Sequence, residues 1–188
     1  MLPAELQSLL DQMDACERDA EAILADLDDD GVNWQPGGGT GWSVAQCLNH
    51  LIVSNGMYLN GVAERMQAAR TANAGTFNGL GPTAIGRWFV NSLEPPPRFK
   101  MKAPRKIRPG ATFPRDGLLA AYKLSHTTYR ALVNEAATVD VNRVIFPNPF
   151  LPAVKMRLAT GFLVIAAHDR RHIYQAKNVK AALRGHDR

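Results

Sequence analysis

The sequence predicts an all-α fold: a four-helix bundle in up-down-down-up order with a long crossover between the second and third helices. Three observations predict it. Four stretches of the 188 residues carry apolar side chains at helical spacing, short links join the first to the second and the third to the fourth, and a segment of about 46 residues lies between. Short links turn successive helices back on each other as antiparallel neighbours, whereas a link that long lets the chain travel the bundle length and start the third helix parallel to the second.

The first helix is expected over residues 2–28, where Leu6, Leu9, Leu10, Met13, Cys16, Ala20, Ile23, Leu24 and Leu27 recur every three or four positions. It ends at DDDGVNWQPGGGTG, whose glycines and Pro36 do not sustain a helix. That loop lacks the Gly-Lys-Ser/Thr ending of a phosphate cradle, so it reads as a connection, with Trp34 and Trp42 as its aromatic anchors. The second helix begins at Ser43, because SVAQ has the form of a capping box, and runs to about residue 69 with Asn55 a polar intruder in its apolar stripe. Between 70 and 115 no long period survives; a short helix is expected at 83–91 and PPP at 95–97 ends it. The third helix, 116–137, takes Asp116 as its cap and buries Leu118, Tyr122, Ser125, Tyr129, Leu132 and Ala136. The fourth, about 155–183, follows a Pro-rich turn and buries Leu158, Phe162, Ile165, Ile173, Ala176 and Leu183.

Composition excludes several classes. A chain of 20.6 kDa that is 46% apolar and 21% charged is an ordinary globular composition, read as one domain over residues 1–188. The longest near-apolar run, LATGFLVIAA, is half a bilayer span, so no membrane segment is expected. The acidic amino-terminal stretch lacks the basic start and apolar block of a signal peptide, which gives a cytoplasmic expectation, with Cys16 and Cys47 reduced. The formal charge of +5 is local. RFKMKAPRKIR, Arg98 to Arg108, holds six basic residues and no acid, and the rest of the chain has 16 basic against 17 acidic residues. One Pro-punctuated basic loop is not a nucleic-acid face, so no nucleic-acid partner is expected.

AHDRRHIYQA, residues 167–176, places His168 and His172 four apart on one helical face, close enough to share a metal ion. His50 sits on the flank of the second helix's stripe, and two helices packed side by side bring the three imidazoles to one point. Three nitrogens with an open fourth position is the donor set of a catalytic zinc site. Asp169 projects toward the middle of the fourth helix's stripe, where a carboxylate needs partners; it is a candidate base or orienter of an imidazole, or else a buried hydrogen-bonding group. Gln175, on the ligand flank, either bonds a metal-bound water or packs. Cys47, one turn before His50, is a candidate thiolate ligand but reads better as a small buried residue. His126 is expected to be a surface or hydrogen-bonded histidine, and His186 to lie in a frayed tail. Arg170, Arg171 and the basic loop are either guides for an anionic substrate or solvated charge. H-D-R-R-H falls short of the protease motif H-E-x-x-H, its acid being a methylene shorter.

The order W-S-x-x-x-x-x-x-H-L at Trp42 to Leu51, followed by H-D-x-x-H-x-x-Q at His168 to Gln175, resembles the DinB/YfiT-like superfamily over nearly the whole chain. The resemblance implies a four-helix bundle with His50, His168 and His172 as ligands of a divalent metal, Zn²⁺ or Ni²⁺; Asp169 and Gln175, from their places on the helix, are the candidate catalytic groups beside them. It also implies an S-transferase type of reaction with a low-molecular-weight thiol and an electrophilic substrate. A metal-dependent hydrolase and a non-catalytic metal-binding or stress-response module are the alternatives, and a homodimer is the expected assembly.

Overall fold

A computed structural model describes residues 1–97 and 102–186. Four long helices, α1 (Ala4–Leu24), α4 (Val44–Thr71), α6 (Leu118–Ala136) and α7 (Leu158–His186), form the bundle. The links carry α2 (Asp29–Asn33), α3 (Pro36–Gly39), α5 (Ala84–Leu93), a 3₁₀ turn at Arg105–Ile107, and an antiparallel pair, β1 (Ile145–Pro147) with β2 (Lys155–Arg157). No described helix is long and apolar enough to cross a membrane.

Ion pairs between helices fix their directions. Lys177 reaches Asp19 at 2.7 Å, and Lys180 and Arg184 reach Asp26, so α1 and α7 run parallel. Lys123 pairs with Glu21 and Arg130 with Asp14, so α6 opposes α1. Arg70 meets Glu135 where α4 and α6 both end, which makes these two parallel. The order is therefore up-down-down-up. The close packing partners of α1 are α6 and α7, and so are those of α4. Helices joined by the shorter links thus stand antiparallel across the bundle's diagonals rather than side by side as the sequence suggested. The reason lies in the links themselves: residues 25–43 carry α2 and a glycine turn, and 137–157 carry the β pair, so neither is a tight hairpin.

Local boundaries follow from caps. The Ser43 box forms as its sequence requires, the Gln46 amide donating to Ser43 Oγ (3.1 Å) and the Ser43 amide to Gln46 Oε1 (3.0 Å). Thr83 caps α5 by accepting from the Gly86 amide (3.1 Å). Asp116 does not cap α6: the capping position is Gly117, with φ of 79°, and Asp116 pairs with Arg115 instead. Ser125 is only half-buried, and His126 takes the inward place on that face. Residues 155–157 are strand, because Phe146 and Met156 face each other in the ladder and are both buried, so the fourth helix starts at Leu158. It runs on to His186, whose ring lies 5.9 Å from that of Trp34, in place of a frayed tail. Of the basic loop, Arg98 and residues 99–101 lie outside the described residues.

The apolar core is split. One cluster gathers Leu6, Leu9, Met13, Val62, Tyr129 and Phe162; the other gathers Cys16, Leu24, Leu48, Leu51, Tyr122 and Ile173. Between them, at one level of the bundle, lie the buried polar residues Ser54, Asn55, His126, Asp169 and His172. Burying so many polar groups in one layer costs stability unless each is paired, which marks the layer as the part of the chain selected for something other than packing. Replacing Ser43 by Ala, which removes the cap that starts the helix carrying His50, is expected to lower unfolding stability by about 1 kcal/mol in urea titrations.

Candidate metal centre

Helix α4 carries His50 and, one turn on, Ser54; α7 carries His168, His172 and Gln175. Because α4 and α7 are close-packed and antiparallel, the three imidazoles meet, with one ligand-competent atom from each lying within 4.8 Å of the others. His50 Nε2 and His168 Nε2 are 3.2 Å apart. The ring centroids of His172 lie 4.5 Å from His50 and 4.6 Å from His168.

What stands behind each ring decides which nitrogen faces the cluster. His50 Nδ1 is 2.7 Å from the Ile107 carbonyl oxygen, an acceptor only, so Nδ1 carries the proton and Nε2 presents its lone pair. His172 Nδ1 donates in the same way to Gln175 Oε1 at 3.0 Å. Ser54 spends its hydroxyl proton on the His50 carbonyl at 2.7 Å, leaving its oxygen to face His168 Nδ1 in a long contact of 3.5 Å. With Nδ1 protonated on His50 and His172, the Nε2 atom of each is a bare acceptor, and His168 Nε2 faces that of His50. Zinc–nitrogen bonds of about 2.05 Å in a tetrahedron put ligand nitrogens roughly 3.3 Å apart, and the His50–His168 pair is already at that spacing. The residues fit a divalent cation.

Burial holds the imidazoles neutral. It lowers the pKa of His50, brings His168 to about 3 with the help of neighbouring His50, and takes His172 well below the usual histidine value. Trp42 walls the cluster, its ring stacked 5.6 Å from that of His172 and tilted against that of His50 at 4.8 Å. A family model, the DinB superfamily, matches residues 12–176.

The chain belongs to the DinB superfamily. No curated protein and no solved structure matches it. This DinB-superfamily chain brings His50, His168 and His172 together as its sequence predicted, and Gln175 stands behind His172 as the acceptor that fixes its tautomer.

Asp169 is placed differently. One residue from His168, it turns into the bundle, is fully buried, and accepts from Tyr122 Oη (2.9 Å), Asn55 Nδ2 (2.8 Å) and His126 Nε2 (3.0 Å). His126, also fully buried, bridges onward to Glu17 Oε1 at 2.8 Å, and Arg130 closes the chain onto Glu17 and Asp14. Burial by itself raises a carboxyl's pKa, but the hydrogen bond and charge of His126, then Asn55, hold Asp169 below its ordinary value. Burial by itself lowers that of His126, yet Asp169 and Glu17 together raise it. The two form a buried ion pair behind the histidine cluster.

Cys47 is fully buried and its thiol is pushed up by burial, so it stands as a neutral small residue in the core. Arg170 is tied to Glu94 and Gln12, and Arg171 donates to the Ser92 carbonyl at 3.1 Å. Sequence reasoning missed the Ile107 carbonyl, since any residue supplies one, and it read Trp42 as an anchor without its contact to the histidines.

In metal-free protein, the Asp169 contribution is complete above about pH 4 and is lost as pH falls through its lowered folded pKa. The His126 contribution is complete below about pH 6.5 and is lost as pH rises through its raised folded pKa. Asp169→Asn is expected to cost about 3–5 kcal/mol between these limits, with the gap to wild type narrowing on either side, in urea denaturation across pH. A cost that does not change with pH would remove the ion pair from the account.

Proposed function

We propose that this chain is a metal-dependent enzyme in which His50, His168 and His172 hold one divalent cation, zinc or nickel, and a low-molecular-weight thiol is transferred or conjugated to an electrophile. The observation that supports the reading is the convergence of three neutral imidazoles, each with an oxygen behind its Nδ1, on one point. When bound, such a cation lowers the pKa of a thiol or water at the position the imidazoles leave open.

The chain's own part is to keep that cation strongly acidic and its surroundings dry. Three neutral imidazoles would leave the full double charge, because among the described residues no carboxylate and no thiolate joins the cluster of candidate ligands. Trp42 covers one flank and excludes water. The same absence favours thiol chemistry over hydrolysis. A hydrolase of the H-E-x-x-H type sets a carboxylate base beside its water, whereas Asp169 here is committed to three donors on the inner side. A bound cation would favour loss of a thiol's proton to solvent, so that the nucleophile would need no carboxylate base from the chain.

Protein purified without a polyhistidine tag is expected to hold one cation per chain by elemental analysis and to turn over an electrophile with one of glutathione, mycothiol or bacillithiol. His172→Ala is expected to lose both the cation and turnover; turnover that survives the loss of metal would sink the reading. Gln175→Leu, which leaves the His172 tautomer unfixed, is expected to weaken metal affinity about 10–100-fold in a competitive chelator titration.

A further inference from the structure

The crossover that returns the chain to α6 is fastened over the metal centre by the very residues that build it. His50 Nδ1 holds the Ile107 carbonyl, and Gln46, one turn earlier on α4, donates to the carbonyls of Gly110 (2.9 Å) and Ala111 (3.2 Å). Farther on, Asn33 exchanges two hydrogen bonds with the backbone of Phe113, and the Arg115 amide donates to Asp29. Ile107 is buried beneath this strap, while Lys102, Arg105, Lys106 and Arg108 stand exposed on it. Residues 102–115 contain no acid. Among the described residues, none of these four cations forms an ion pair; Arg108 Nε donates to the Ala103 carbonyl at 3.0 Å, which leaves its charge uncompensated.

The geometry points to residues 102–108 as an anion-recognition strip that selects a carboxylate-bearing thiol for the metal centre, with Arg105, Lys106 and Arg108 as the specificity-determining residues. The inference rests on the thiol reading above and names its substrate class. Lys106 and Arg108 directly flank the residue bonded to a ligand imidazole. Consecutive Cα atoms are about 3.8 Å apart, so both cations stand on the backbone segment that holds the His50 ring. The Asp169 layer lies on the inner side of the cluster and Trp42 on one flank, while the strap lies on the His50 side, fixed there by the Ile107 carbonyl. A cationic border attracts an anion toward the site, and a neutral thiol gains nothing from it.

The test uses full-length protein loaded with cobalt(II), whose visible spectrum reports thiol ligation, titrated with mercaptosuccinate and with 2-mercaptoethanol; succinate binding is followed by calorimetry. Wild type is expected to bind mercaptosuccinate about tenfold more tightly than 2-mercaptoethanol, the ratio shrinking as salt is added. The triple variant Arg105→Gln, Lys106→Gln, Arg108→Gln is expected to bring the ratio to about one, with cobalt content and 2-mercaptoethanol affinity unchanged. A ratio that stays the same in the variant, or both thiols weakening together, overturns the strip. Should neither thiol alter the cobalt spectrum while succinate binds wild type and not the variant, the strip stands and the thiol chemistry falls. Absence of succinate and mercaptosuccinate binding to both proteins overturns the strip.

Discussion

The structure depends on one constraint: three imidazoles are held by oxygens on their Nδ1 sides, so that their other nitrogens face one another in a buried space. Two bare Nε2 atoms 3.2 Å apart repel, lone pair to lone pair, unless a proton or a cation lies between them. Each oxygen behind the rings comes from a different source, a crossover carbonyl, a serine hydroxyl and a glutamine amide. Removing any one frees a ring to exchange tautomers, so these partners belong to the site as much as the ligands do.

The polar layer has a second half. His168 and Asp169 are neighbours in sequence, and a step of about 100° around α7 sends one toward α4 and the other toward α6. Asp169, His126, Glu17 and Arg130 then carry a line of paired charge from the middle of the bundle to its α1 and α6 surface. Such a layer forfeits apolar packing, and it ties α1, α4, α6 and α7 at the level where the imidazoles must be aligned. The two apolar clusters on either side supply the stability, and the layer supplies the position.

Much of this was legible in sequence because it is local. The four-residue spacing of His168 and His172 places both on one face, the three-residue step to Gln175 puts it behind His172, and SVAQ starts the helix that carries His50. The crossover length set the helix directions. What escaped is what distance along the chain conceals. His126 has partners on α1 and α7, so nothing near it in sequence distinguishes a charged bridge from an ordinary core histidine. The β pair is three residues a strand, too short for a period to register. The Ile107 carbonyl carries no side-chain signature, and the diagonal placement of α1 against α4 follows from link shapes that residue spacing does not encode.

The most direct measurement is long-range proton–nitrogen NMR of the histidine side chains, recorded on metal-free protein and during titration with zinc. The account predicts that all three histidines are neutral before zinc is added, His50 and His172 with the proton on Nδ1, and that all three Nε2 resonances shift together at one equivalent. An Nε2-protonated His50 or His172, or a zinc titration that leaves the three resonances unmoved, would contradict it.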